Sequence, residues 1–325
     1  MRILVLNNGY RRRDDRTRID FIKKLSRHPS IELFIYGPRE ELIERELAPV
    51  PYDSRMTETD IISYFDPDVL FFILHNMIAL DWIPKDICKY NVPSVILEED
   101  HYGLNYQGVV HDDKAILNLY KEFEFSLLLR RHYYNEKAPI QSVWLPFSAN
   151  EEEFKPTYLT GRYNTVGFAG SVTNHPYYAV RRKAIEVLKE SGLLAENHGS
   201  VYKGYDKYLQ AYIAYLTCGG GMLHTALAKT FEIPACGAVM LTNQLYNSDL
   251  LFGDKQCYVT YKDDCSDIVE KAKEILNDHD MAQEIAKNGI EQVYKKHMDK
   301  HRLVELYNIL VALTYGKEIP RIWGQ

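Results

Sequence analysis

Short runs rich in β-branched and aromatic residues recur along this chain, separated by longer stretches of amphipathic period, and that alternation most restricts its fold. Runs too brief for helices and set a dozen or more residues apart pair as parallel strands joined by crossover helices. In the first half, strands are expected at Ile3–Leu6, Ile31–Tyr36, Val69–Leu74, Val92–Leu97, Phe125–Leu129 and Val143–Leu145, with a helix around Ile19–Leu25. The segment Pro146–Pro156 has no apolar period and is bracketed by prolines, so it reads as a connection. The pattern then restarts with strands at Thr165–Ala169, Ala214–Leu216 and Ala238–Leu241. Helices are expected over Tyr178–Glu190, where Val180, Ala184, Val187 and Leu188 share a face, and over Ile268–Leu276, Ile285–Tyr294 and Arg302–Leu313. The expected fold is α/β: two Rossmann-like, doubly wound domains, residues 1–148 and 149–325, facing a cleft where ligands of such sheets bind, with the terminal helices packing back on the first domain.

A length of 325 residues, 46% of them hydrophobic, exceeds what one core usually spans, which agrees with two domains. The formal charge of −6 gives no global drive toward nucleic acid or anionic membrane, so any basic surface is local. Cys88, Cys218, Cys236, Cys257 and Cys265 form no C-x-x-C pair and no zinc-like set with histidines. Neither a disulfide framework nor a structural metal is indicated, and a reduced compartment is the simplest reading. The opening MRILVLNNGY lacks the long apolar core of a signal peptide, and no uninterrupted apolar stretch approaches the roughly 18 residues of a membrane span. A soluble, cytoplasmic protein is expected.

Candidate chemistry concentrates in the second half. Gly170-Ser171 follows a strand and precedes a helix, where backbone amides can cradle phosphate. Arg181, Arg182 and Lys183 lie on that helix, and Arg182 is taken as the one that reaches a ligand. Gly219-Gly-Gly221 permits close backbone approach or merely makes a turn. In Lys229-Thr-Phe-Glu-Ile-Pro-Ala-Cys-Gly237, a carboxylate at a helix start is followed by small residues. Such a carboxylate can accept two hydrogen bonds from a diol, and a lysine three residues earlier can face the same ligand.

Five stretches stand in the order of one family. The linker Leu145-Pro-Phe-Ser-Ala-Asn-Glu-Glu-Glu-Phe-Lys-Pro156, then Val166-Gly-Phe-Ala-Gly-Ser171, Lys229–Gly237, Asp249-Leu-Leu-Phe-Gly253, and Ala286-Lys-Asn-Gly289 with His297 and His301-Arg302, together resemble GT-B glycosyltransferases, most closely the CgeB-like group. The resemblance covers about residues 146–302. It implies the GT-B fold and transfer of a sugar from a nucleotide-sugar donor, expected to be UDP-linked, to an acceptor hydroxyl. It implies Glu232 on the ribose hydroxyls and Lys229 on the donor diphosphate, with Gly170, Ser171, Arg182, Gly221, His224 and Thr230 also donor-binding. In related enzymes Glu232 is the second of an E-x7-E pair whose first member contacts the sugar. Here that earlier position is His224, which leaves the sugar-facing group open. No metal is expected, and no cofactor beyond the donor substrate.

In GT-B enzymes the N-terminal domain receives the acceptor. Arg11, Arg12, Arg13, Arg16 and Arg18 against Asp14 and Asp15 leave a local excess of three positive charges after the first strand. That patch suits an anionic acceptor, such as a phosphorylated lipid, a polymer or nucleic acid, and equally a solvated loop with internal ion pairs. Glu98-Glu-Asp-His101 ends a strand, and Glu99, Asp100 and His101 are candidates for the base that an inverting transferase needs; His75 is a further candidate. Asp66-Pro-Asp68 precedes a strand rather than ending one and is not read as a metal motif. Asp112-Asp113 and Asp263-Asp264 read as turn residues. A sugar-nucleotide epimerase or hydrolase, and a non-catalytic nucleotide-sugar-binding relative, remain as alternatives.

Overall fold

The computed structural model describes residues 1–6, 19–38, 46–74, 83–98, 120, 123–133, 138, 140–174, 178–196, 204–219 and 224–323. They form two compact units, one of residues Met1–Pro146 with Leu303–Gln325 and one of Phe147–Arg302.

The first unit holds the strands β1 (Arg2–Leu6), β2 (Glu32–Tyr36), β3 (Val69–Leu74), β4 (Ser94–Glu98), β5 (Leu127–Arg130) and β6 (Ser142–Trp144). They form one sheet in the order β2-β1-β3-β4-β5-β6, parallel at every pairing. Successive residues point to opposite faces. Ile3 and Val5 enter one core cluster with Val69, Phe71 and Ile73, while Leu4 and Leu6 enter another with Leu70 and Phe72. A sheet buried on both faces has no room for polar alternation, which is why these strands read as continuous apolar runs. Helix α1 (Ile19–Lys23) and helix α2 (Glu58–Phe65) belong to this unit. Helix α2 starts at a capping box in which the Asp60 amide donates to the Thr57 hydroxyl and the Thr57 amide to the Asp60 carboxylate, at 3.2 and 2.9 Å. It ends on Asp66 in a left-handed conformation.

The second unit holds β7 (Tyr163–Gly167), β8 (Tyr212–Leu216), β9 (Val239–Asn243) and β10 (Tyr258–Tyr261), parallel in the order β10-β9-β8-β7. Its helices are α3 (Ala179–Glu190), α4 (Tyr205–Leu209), α5 (Ala228–Ala235), α6 (Ser248–Phe252), α7 (Ile268–Asn277) and α8 (His279–Lys296). Helices α3 and α7 cover one face, setting Ala184, Leu188, Ile268, Ala272 and Ile275 against Val166, Ala214, Leu216, Val239 and Leu241. Helix α5 lies against α8, and a Cβ at Gly289 would come within 3.0 Å of the Pro234 Cβ, so the glycine sets how closely the two helices approach. The last helix, α9 (Asp299–Thr314), carries Leu306, Ile309, Leu310 and Ala312 into the core of the first unit.

All ten described strands are parallel within their sheets, as the sequence pattern requires, so each sheet gathers its carboxyl ends along one edge. Four short elements, α2, α4, α6 and β10, have no counterpart in the expectations. Asp66 and Asp68 lie on Arg2, whose Nη1 is 3.2 Å from Asp66 and whose amide donates to Asp68 at 2.7 Å.

Candidate donor site in the second unit

Along the carboxyl edge of β7–β10 the chain gathers the residues that follow each strand. Helix α5 takes in both Lys229 and Glu232, one turn apart. Glu232 sits in the second turn rather than at the helix start, and it is 5% exposed, so it is no solvated carboxylate supporting a helix dipole. The Lys229 ammonium donates to the Ala169 carbonyl just beyond β7 and lies 5.7 Å from the Phe168 ring centroid. It also explains Gly170: a Cβ there would stand 2.7 Å from Lys229 Nζ. The glycine admits the lysine, a close approach of a different kind from the phosphate cradle expected. Helix α3 does not begin until Ala179, so the Gly170 and Ser171 amides do not lie at its N-terminus.

Burial raises the proton affinity of Glu232 and lowers that of Lys229; each opposes the other's shift, holding both nearer their charged forms. The hydroxyl of Tyr205, on α4, donates to Glu232 Oε2 at 3.2 Å. Arg181, 7% exposed, donates from Nη1 to the Ser171 carbonyl at 2.9 Å, and its charge adds to the lowering at Lys229. The arginine that bears on the lysine is therefore Arg181, while Arg182 turns to the Thr173 carbonyl at 2.6 Å. Arg181, Ala184 and Leu188 are the buried residues of α3, so the sequence carried the signal: Arg181 stands three residues before Ala184 on the apolar stripe. Thr230 is 1% exposed and its hydroxyl accepts the Leu227 amide at 3.0 Å, which caps the start of α5.

His224 stands apart from these groups in its partners. Its backbone is left-handed at φ 50°, its Nδ1 is 2.9 Å from the Gln244 carbonyl, and its Nε2 is 3.1 Å from Asp263 Oδ2. Asn243, the last residue of β9, donates from Nδ2 to Asp263 Oδ1 at 2.9 Å and accepts the Gly219 amide at 2.7 Å. Asp263 and Asp264 both stand in a turn, as expected. Asp264 accepts the Ser266 amide at 3.0 Å, and Asp263 in addition joins the ends of β8, β9 and β10.

Two further groups of contacts hold α5, one on the half-buried Arg162 and one on the buried His297. Arg162 donates to the carbonyls of Thr157, Tyr158, Leu209, Tyr212 and Cys236, the last at 2.6 Å. His297 lies 4.8 Å from the Phe231 ring, donates from Nε2 to the Leu251 carbonyl at 2.7 Å, and accepts at Nδ1 from Arg302 Nη2 at 2.6 Å. Burial and the neighbouring guanidinium push its pKa down to about 3, so it is a neutral packing group.

In the first unit, Glu98 closes β4 and pairs with Arg130, which closes β5, at 3.5 Å, both side chains buried. Arg11, Arg12, Arg13, His75, Glu99, Asp100, His101 and Gly221 lie outside the described residues. Among the described residues no group of His, Cys, Asp or Glu is placed to hold a metal ion, and no helix is long and apolar enough to cross a membrane.

Residues 181–308 match the family described as "Glycosyl transferase-like", a stretch that contains the Lys229–Glu232 helix and all but the first strand of the second unit. Among curated proteins none matches the sequence. Solved structures resemble the fold across nearly all of the chain. Sucrose-phosphate synthase from Thermosynechococcus elongatus aligns at a TM-score of 0.66 and 10% identity, covering 98% of this chain and 100% of its own. HepE of Anabaena, solved with UDP and glucose, aligns at 0.66 and 10%, covering 96% and 100%. A structure described as a "putative UDP-N-acetylglucosamine 2-epimerase from Listeria monocytogenes" aligns at 0.58 and 9%, covering 98% of each. The fold is GT-B, two Rossmann-like units, and the second unit carries a glycosyl transferase-like domain.

Proposed function

We propose that the chain is a metal-independent glycosyltransferase of the CgeB-like group, moving a sugar from a UDP-linked donor held by the second unit to an acceptor hydroxyl. The observation that carries the reading is the placing of half-buried Lys229 and buried Glu232 on one turn of α5, at the strand ends, beside Gly170. In that arrangement Glu232 accepts hydrogen bonds from the ribose hydroxyls. Lys229, with Arg181 behind it, balances the charge that grows on the departing nucleoside diphosphate, a task that needs no metal where fixed cations stand ready. The first unit receives the acceptor, with Arg11, Arg12 and Arg13 drawing an anionic one and Glu99, Asp100 or His101 supplying a base. Five free cysteines, all buried, suit a cytoplasmic setting.

Calorimetry tests the assignment. Glu232→Ala should weaken uridine and UDP alike, by about ten- to hundredfold for a charge-assisted pair of bonds worth roughly 1.5–3 kcal/mol. Lys229→Met should weaken UDP and leave uridine unchanged. Unaltered uridine affinity in the first variant, or unaltered UDP affinity in the second, refutes the corresponding role. The likeness to an epimerase favours a second reading, turnover of the donor without an acceptor. Product analysis with UDP-sugar alone, looking for an epimerised sugar nucleotide, separates the two.

A further inference from the structure

A diol-binding carboxylate has two requirements that oppose one another: it must ionise in a buried place, and both oxygens must be held at a fixed angle. Lys229 helps with the charge, but its ammonium is held by the Ala169 carbonyl. The other groups bearing on Glu232 are Glu153, from the segment before β7, and Asp299, at the start of α9, and both favour the protonated form. Its neighbour Cys236, after α5, is buried and has its own pKa pushed up to about 12 by that burial. Orientation is left to Tyr205, whose hydroxyl meets Oε2 at 3.2 Å.

The Tyr205 ring is itself fixed. It meets Phe154 edge to face, with centroids 6.0 Å apart and planes at 90°, and Phe154 is 4% exposed. The Phe154 carbonyl in turn accepts the Tyr294 hydroxyl from α8 at 2.9 Å. Helix α4 starts on Gly204 at φ 68°, a left-handed turn that glycine adopts without strain. Burial and the facing carboxyl push the Tyr205 pKa well above that of a free phenol, so it stays a donor.

We propose that Tyr205 is a positioning residue for the donor site: its hydroxyl holds Glu232 Oε2, so that Oε1 and the remaining lone pair of Oε2 are presented to the vicinal diol of a nucleoside diphosphate. The inference rests on the reading of Glu232 as the diol acceptor, and its test separates the two. The phenol touches the carboxyl and not the ligand, so its removal acts on when Glu232 ionises.

The carboxyl carbons of 13C-labelled glutamate report this directly by NMR, with Glu232→Gln identifying the signal. In Tyr205→Phe the proton affinity of Glu232 should rise about tenfold, the equivalent of roughly 1.4 kcal/mol. Tyr208→Phe, which removes another hydroxyl from the same helix, should leave it unchanged. At pH 7 the ratio of wild-type to Tyr205→Phe UDP affinity should be about five, and it should close toward one as pH rises and the carboxyl ionises in both. Phe154→Leu, which keeps the hydroxyl and removes its support, should move the titration the same way by less and serves if Tyr205→Phe does not fold. An unmoved Glu232 titration, or a UDP loss equal at every pH, overturns the proposal. A moved titration in a protein that binds no UDP supports the positioning role and refutes the ribose reading instead.

Discussion

Acidification should destabilise the second unit through His297, and the size of the effect follows from its surroundings. The native imidazole is fully buried between Phe231 and Phe252 with both nitrogens engaged, and its pKa is pushed from 6.5 down to about 3. In the unfolded chain it titrates near its ordinary value of about 6.5. A group whose folded pKa is depressed gives stability that is fully present above the unfolded value. That stability drains as pH falls below it, because only the unfolded chain takes up the proton. At ~1.4 kcal/mol per pH unit the total reaches about 5 kcal/mol by pH 3, much of an ordinary domain's stability. Urea denaturation of the wild type and of His297→Gln, which cannot titrate, measures it. At pH 7 the variant should be less stable by about 1–3 kcal/mol for lost packing. Between pH 6 and 4 the gap should close by about 1.4 kcal/mol per unit, since only the wild type pays the proton cost. Contributions from the first unit cancel in the difference. A gap that stays constant over that range refutes the reasoning.

Arg162→Met should cost about 3 kcal/mol or more, because it strips the donor from several backbone carbonyls at once, and Arg162→Lys should recover only part of it; urea titration showing under about 1 kcal/mol would refute the clamp. Asp263→Asn removes the carboxylate facing His224 Nε2 and should weaken a UDP-sugar about tenfold while sparing UDP, if these groups face the sugar. Equal losses for both ligands in calorimetry would place them elsewhere.

The sequence pattern displayed most strands well because they are buried on both faces, and an apolar run of that kind needs no partner to be recognised. It also put Lys229 and Glu232 one turn apart on one helix, since helical geometry fixes their relation whatever surrounds the helix. What it missed depends on distant partners. Tyr205 is 27 residues from Glu232 and lies on a helix of 5 residues, too short for a period. Asp263 stands in the turn the sequence implies, but its partners, His224 and Asn243, are supplied by other parts of the chain. β10 alternates over only four residues, Tyr258–Tyr261, and its exposed Thr260 broke the apolar run. Arg182 and Arg181 differ by one position in sequence and by a third of a turn on the helix, enough to send one outward and the other under the strand ends.

The closing helix has a consequence for synthesis. Ile3 and Val5 are made about 300 residues before Leu306, Ile309 and Leu310, with which they share a core. At roughly 5–20 residues per second, β1 waits about 15 to 60 seconds for those partners. Residues 147–302 are complete before then, so the unit that begins first is finished last. A released chain ending near residue 302 would hold a complete second unit and an apolar face on β1–β3 still open to a chaperone. Loss of residues 306–325 would accordingly injure the first unit.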